Sequence, residues 1–304
     1  MSLTSKKIRN PLQRKHLITS PILRLLLFYF CSLLIAAIAT PLIFNCVVNW
    51  HKQSPDALNT YLIRKGFVVF FDRIRLIALF FFFPALWKIY RQEINSLPDY
   101  PNRKVFCPFF IHGIWFVVGI FGAKMLFLDF TWETPSLFFL TKALLGALLI
   151  ALLEEWLFRG FIFRFLLDKM RPVLAFTASA FIFAYLHFRP TYSLFVTQEP
   201  TTFSNGFYCL YELIFHSLVG ISWFKFLIIF SLGYLLASVY FYTQKLTAAI
   251  GLHAGVIFPL TIFKNCAIFP VTRPIFGSND LFDSPLALFL IILAAILSRQ
   301  IRYE

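Results

Sequence analysis

The chain has 304 residues, 59% of them hydrophobic and only 14% charged, with 41 Phe and a mean hydropathy of +0.75, a balance that excludes a water-soluble globular domain. Most of its length must therefore lie in lipid as helices that satisfy their own backbone hydrogen bonds. The formal net charge of +14 does not make it a nucleic-acid binder, because the Lys and Arg residues stand at the ends of apolar runs rather than together on a polar face.

In chain order, residues 1–20, with Lys6, Lys7, Arg9, Arg14 and Lys15, read as a basic cytoplasmic arm lying on anionic lipid. The apolar run after Arg24 continues past the cleavage-like Ala37-Ile38-Ala39 through Val47 and Val48, so it reads as a retained helix rather than a signal peptide. Eight apolar stretches are taken as membrane helices: 22–48, 67–90, 105–128, 136–167, 172–188, 221–243, 246–264 and 282–298. The expected fold is all-α, a polytopic transmembrane bundle of about eight helices forming one domain over 21–304.

Lys88, Arg91, Arg103, Lys104, Lys169 to Arg171, Lys245, Arg299 and Arg302 then fall on one side of the membrane, which becomes the cytoplasmic side with both termini on it. Asp129, Glu133, Glu199, Glu212 and Asp280 fall on the other, and Lys52, Arg64 and Lys65 in the first outer loop break the pattern. The expected location is a cell membrane, crossed many times. Cys31, Cys46, Cys107, Cys209 and Cys266 stand singly without metal-finger spacing and read as core or lipid-facing residues.

Inside hydrocarbon a charged side chain costs about 2.5–3.5 kcal/mol on insertion scales. Glu154 and Glu155, after seventeen mainly apolar residues, therefore demand a role. Glu155 and Arg159 share a helix face at i,i+4 and suit an ion pair, whereas Glu154 points elsewhere, so the two glutamates have different tasks. The bland reading, an interfacial helix end, is weakened by the apolar residues Phe161 to Leu167 that follow Arg159. The basic turn from Lys169 to Pro172 sends the chain back, and His187 lies nearly as far after that turn as Glu154 lies before it. Two antiparallel helices thus bring Glu154 and His187 to one depth. His253 sits in AIGLHAGVIF, where Gly251, Ala254 and Gly255 let backbones approach closely. A lone buried His is commonly a packing residue; its level with Glu154 gives His187 a chemical reading.

The series E-E-W-L-F-R at 154–159, F-A-Y-L-H at 183–187 and the glycine-flanked His253 resembles the CAAX protease and bacteriocin-processing (CPBP, Abi-type) family of intramembrane glutamate proteases, with a catalytic region of about 136–264. That resemblance implies peptide hydrolysis without a cofactor: Glu154 and His187 activate water, His253 stabilises the oxyanion, and Glu155, Arg159 and Phe183 support them. The polar Asn or Asp that often follows the third His by four residues is Ile257 here. The implied partners are the lipid bilayer and a membrane-associated or lipid-modified protein or peptide substrate.

Two alternatives keep the same residues. In one, Glu154, His187 and His253 are ligands of zinc, which accepts nitrogen and oxygen donors of this kind. In the other, Ile257 marks a catalytically impaired protein that keeps the fold as a membrane binding or immunity protein. Transport is disfavoured, since no paired-half symmetry is visible. Asp72 and Arg75, at i,i+3 with Arg73 between them, read as a structural ion pair, Glu212 and His216 as a solvated interfacial helix rather than a metal site, and His112 as a packing or interfacial residue.

Overall fold

The computed structural model describes residues 20–78, 81, 103–187, 201–216, 223–270, 275 and 284–297, with side chains from residue 27 onward. The expected basic arm, apart from the backbone of Ser20, and the topology signals Lys88, Arg91, Glu199, Asp280, Arg299 and Arg302 lie outside the described residues. The chain divides into two compact units, one drawn from 1–95 and 189–220, the other from 96–188 and 221–304.

In the first unit, α1 spans Ser20–Gln53 with Pro41 inside it. Its end is tied to the next helix, α2 (Ala57–Lys65), by an imidazole contact of 2.8 Å between His51 Nδ1 and Asn59 Oδ1. A capping box starts α2: the Asp56 carboxylate accepts the Asn59 N–H, and the Asn59 side chain accepts the Asp56 N–H. Gly66, at φ 76°, turns the chain out of α2 through the left-handed region where a side chain is strained. Helix α3 resumes at 67–78, and Phe44 of α1 meets the Phe67 and Phe70 rings edge-on at 5.6 and 5.2 Å. The expected Asp72–Arg75 pair forms at 3.3 Å.

Helix α8 (Phe203–Tyr211), prolonged by a π-helical turn over Glu212–His216, belongs to this unit as well. Gly206 sits against the Ala37 carbonyl, and Cys209, Leu210 and Leu213 join the apolar cluster of Leu33, Phe44 and Phe71. The helix expected around Glu212 buries one face in the unit's core, where Gly206 admits the α1 backbone, and leaves Phe207, Tyr211 and Phe215 exposed on the other. Asn45 clamps the entry to this segment, giving and taking hydrogen bonds with the Thr201 backbone at 2.6 Å each.

In the second unit, α4 (Arg103–Phe127) is followed by β1 (Thr131–Trp132), α5 (Leu137–Glu155), a π-helical run over Trp156–Phe163, α6 (Arg164–Lys169), α7 (Pro172–His187), α9 (Trp223–Thr243), α10 (Leu246–Cys266), β2 (Ala267–Ile268) and α11 (Pro285–Leu297). The Ser136 hydroxyl caps α5 by accepting the Phe139 N–H. Helices α4 and α10 lie side by side in parallel: Gly251 meets Phe106, Gly255 meets Phe110 and Gly113, and Phe121 stacks on Phe263 at 4.4 Å and 3°. The antiparallel pairing Thr131↔Ile268 and Trp132↔Ala267 brings the connectors after α4 and α10 to one end of the unit. The charge reading likewise assigned both to one side.

Among the described residues, five helical stretches are long and apolar enough to cross a bilayer: Leu27–Gln53, Arg103–Phe127, Leu137–Lys169, Trp223–Thr243 and Leu246–Cys266. Pro172–His187 and Pro285–Leu297 are apolar but shorter, and the 67–90 stretch is described only to 78 and at 81. The protein is an all-α, multi-pass membrane-type bundle. Hydropathy marks where lipid-compatible sequence lies, but it does not mark where a helix stops.

The contact between α4 and α10 makes a prediction. A methyl at Gly251 would lie 2.6 Å from the Phe106 carbonyl oxygen, whereas at Gly122 nothing lies within 4 Å. Gly251→Ala should therefore lower stability in detergent by about 1–3 kcal/mol through forced overpacking, and Gly122→Ala should leave the melting temperature unchanged; equal behaviour of the two would refute this packing.

Candidate active site

Three elements of the second unit carry the site. Glu154 and Glu155 end α5, where the hydrogen-bonding pattern widens into the π-helical run that holds Arg159. His187 ends α7, and His253 lies a little beyond the second turn of α10. Wide π turns of this sort recur at functional sites because they redirect side chains that an unbroken α-helix would carry elsewhere. The sequence reading anticipated an ordinary helix over 136–167 and missed this change.

The Glu155 and Arg159 side chains are both wholly buried. Arg159 Nη1 donates to Glu155 Oε1 at 2.7 Å, the ion pair expected from i,i+4 spacing. Arg159 Nη2 donates at 3.0 Å to the carbonyl of Gly233 on α9. The guanidinium carbon stands 4.5 Å from the centre of the Phe183 ring and 5.8 Å from that of Phe158, so two aromatic faces supply part of the stabilisation that water would give. The pair is not a bidentate fork: among the described residues, Glu155 Oε2 and Arg159 Nε have no hydrogen-bond partner. Its geometry instead lets one oxygen, Oε1, serve two cationic or N–H groups at once.

The second of those groups is His253, whose Nδ1 lies 2.7 Å from Glu155 Oε1. A carboxylate already paired to Arg159 only accepts, so His253 carries its proton on Nδ1 and turns Nε2 away from Glu155. His187 is fixed in the same way: its Nδ1 donates to the Phe183 carbonyl at 2.7 Å, which aims Nε2 outward. Both Nε2 atoms face Glu154. Oε2 of Glu154 is 3.2 Å from His187 Nε2 and 3.8 Å from His253 Nε2, and among the described residues this buried oxygen has no hydrogen-bond partner. The Glu154 and His187 side chains are 29% and 30% exposed while that of His253 is 4% exposed, so the first two form the accessible edge of the cluster.

All three residues singled out as catalytic thus lie together, and Glu155, Arg159 and Phe183 lie behind them. Phe183 does more than mark a motif. Its ring is 4.1 Å from the His187 ring, 5.9 Å from that of His253 and 4.9 Å from that of Phe158. Two features escaped the sequence reading. One is the bond from Glu155 to His253, which spacing within one helix cannot reveal; the other is Gly233, whose only signal was an isolated glycine in the apolar segment S-L-G-Y-L at 231–235. One turn beyond His253 on α10, the half-buried Ile257 presents only hydrocarbon.

Other candidates lie apart from this cluster. His112 is exposed and pairs with the Pro108 carbonyl of its own helix at 2.6 Å. The cysteines are free, two of them buried; for Cys209, burial together with the Asp72 and Glu212 carboxylates pushes the thiol up to about 12, which rules it out as a nucleophile at neutral pH. Among the described residues, no group of three His, Cys, Asp or Glu side chains is arranged to hold a metal ion.

Removing one partner of the buried pair separates structure from chemistry. Arg159→Ala leaves Glu155 uncompensated, and a loss of about 3–5 kcal/mol is expected, read as a collapse of monodisperse yield in detergent. Arg159→Lys should restore only part of it, since a point charge cannot reach Glu155 and the Gly233 carbonyl together. Wild-type yield for Arg159→Ala would show the pair to be dispensable.

A family model described as type II CAAX prenyl endopeptidase Rce1-like matches residues 135–258. The matched span contains Glu154, Glu155, Arg159, Phe183, His187, Gly233 and His253. No curated protein and no solved structure matches the chain. The segment that carries the glutamates and histidines is thus similar to the Rce1-like family of CAAX prenyl endopeptidases, and it lies within a multi-pass membrane-type chain.

Proposed function

We propose that this protein is an intramembrane endopeptidase that hydrolyses a peptide bond of a membrane-associated substrate with water activated by Glu154 and His187. The observation that carries the reading is Glu154 Oε2, a buried carboxylate oxygen faced by two imidazole nitrogens at 3.2 and 3.8 Å and, among the described residues, without a hydrogen bond. The Glu154 and His187 side chains form the accessible edge of the cluster, so a water molecule can reach the carboxylate, and the adjacent imidazole can hold that same water.

In the proposed cycle, Glu154 takes a proton as the water oxygen bonds to the scissile carbonyl carbon, and His187 orients that water. The carbonyl π-electrons move onto oxygen, and His253, with Nε2 protonated as well as Nδ1, donates to the developing oxyanion. Collapse of the tetrahedral species breaks the C–N bond, and the proton held by Glu154 passes to the leaving nitrogen, giving a free carboxylate and a free amine. Glu155 and Arg159 do not touch the reacting atoms in this scheme; Glu155 fixes the His253 ring and Arg159 fixes Glu155. The family description names prenylated CAAX substrates, so the first substrate to offer is a farnesylated CAAX peptide beside its unprenylated counterpart.

Glu154→Ala should abolish hydrolysis with the protein still inserted. Membrane fractions holding wild-type or Glu154→Ala protein at matched levels, compared for new peptide termini, should differ; identical termini would favour the binding or immunity protein that Ile257 suggests. A zinc-dependent version of the same triad is set aside if activity survives exhaustive chelation and is adopted if chelation stops it and zinc restores it. Ile257→Asn should raise kcat roughly tenfold or more by adding an oxyanion donor one helical turn from His253; an unchanged rate would mean that no donor is needed there.

A further inference from the structure

Gly233 does two things to the site from a helix that contributes no candidate catalytic side chain. Its carbonyl accepts the Arg159 Nη2 proton at 3.0 Å. Its missing side chain leaves room for α7: a methyl placed on Gly233 would stand 2.9 Å from Phe183 Cδ1, 3.3 Å from Phe183 Cβ and 3.3 Å from the Ala180 Cα. These neighbours have little freedom to give way. Ala180 Cα is backbone, and the contacted Phe183 atoms are near the root of a ring that is 1% exposed. That ring is boxed by Phe158 at 4.9 Å, the Arg159 guanidinium at 4.5 Å and His187 at 4.1 Å.

The consequence reaches Glu154 by two routes. Through Phe183, whose carbonyl holds His187 Nδ1 at 2.7 Å, the approach of α7 to α9 sets where His187 Nε2 stands against Glu154. Through Arg159 and Glu155, the Gly233 carbonyl sets where His253 stands. We infer that Gly233 is a positioning residue for both histidines, a gap in α9 that fixes the separation of His187 and His253 from Glu154. This inference rests on the hydrolase reading above, but it is also readable without turnover. A displacement of about 1 Å at a reacting centre costs up to roughly a hundredfold in rate, so the few tenths of an ångström that a methyl forces should lower kcat by about tenfold while the substrate-binding surface, and with it KM, is kept.

The test uses the full-length protein purified in detergent, with Gly233→Ala, Phe183→Leu, the double variant, and Gly146→Ala as a control, since nothing lies within 4 Å of a methyl at Gly146. On a farnesylated CAAX peptide, Gly233→Ala should lower kcat about tenfold with KM within about twofold, and Gly146→Ala should match wild type. In the Phe183→Leu background, where the crowded ring is gone, the same Gly233→Ala change should cost less than about threefold, a coupling expected only of residues in contact. Independently of cleavage, the ring ¹⁵N resonances of His187 and His253 should move in Gly233→Ala and stay in place in Gly146→Ala. If wild type shows no Glu154-dependent cleavage, the hydrolase reading fails and the resonances still decide the role of Gly233. If kcat and the resonances of Gly233→Ala both equal wild type, or if the losses are additive with Phe183→Leu, the positioning role is wrong. A loss of folded yield in Gly233→Ala that Phe183→Leu does not repair would likewise reduce Gly233 to a packing residue.

Discussion

One oxygen atom, Glu155 Oε1, holds the site together. It accepts from Arg159 at 2.7 Å and from His253 at 2.7 Å, and neither donor could be buried without it. Taking an isolated charge into a low-dielectric interior costs several kcal/mol even after relaxation, so each member of this chain requires the others: the guanidinium requires the carboxylate, the carboxylate requires two donors, and the imidazole takes its tautomer from the carboxylate. A pair selected for stability alone would use both oxygens in a fork. Here, among the described residues, Glu155 Oε2 and Arg159 Nε have no hydrogen-bond partner, and Oε1 alone takes both Arg159 and His253.

The two adjacent glutamates are distinguished by what surrounds them rather than by their own chemistry. Glu155 is fully buried and neutralised by Arg159, whereas Glu154, one residue earlier on the helix, is partly exposed and faces two imidazoles. Rotation of about 100° per residue is enough to send them into different environments. In the proposed cycle one is a fixed orienting group and the other accepts a proton from the attacking water. The aromatic neighbours matter for the same reason: Phe158 and Phe183 give Arg159 faces to lie against and exclude water that would otherwise screen the ion pair.

Much of this was legible before the structure. Charged residues in a chain this apolar stand out because lipid penalises them, so Glu154, Glu155 and Arg159 could be picked by cost alone, and the i,i+4 rule paired two of them correctly. The count of residues on each side of the Lys169 to Pro172 turn brought His187 level with Glu154, as found. Contacts between distant segments were not legible: the bond from His253 to Glu155 joins α10 to α5, and nothing periodic encodes which face of one helix meets which face of another. Gly233 was silent for a related reason, since its contribution lies in a backbone carbonyl and an absent side chain. The π-helical run after Glu155 and the packing of Cys209, Leu210 and Leu213 against α1 were hidden because both depend on packing partners far away in sequence.

The central claim is that Glu154 moves protons for an attacking water and does not itself attack the peptide. A single turnover in ¹⁸O-water, with excess purified protein over a farnesylated CAAX peptide and both products analysed by mass spectrometry, tests it directly. With Glu154 as a base, one ¹⁸O is expected in the new carboxyl group of the peptide and none in the protein fragment that carries Glu154. Label in the Glu154 carboxyl group, which a covalent acyl anhydride would leave there, would contradict it.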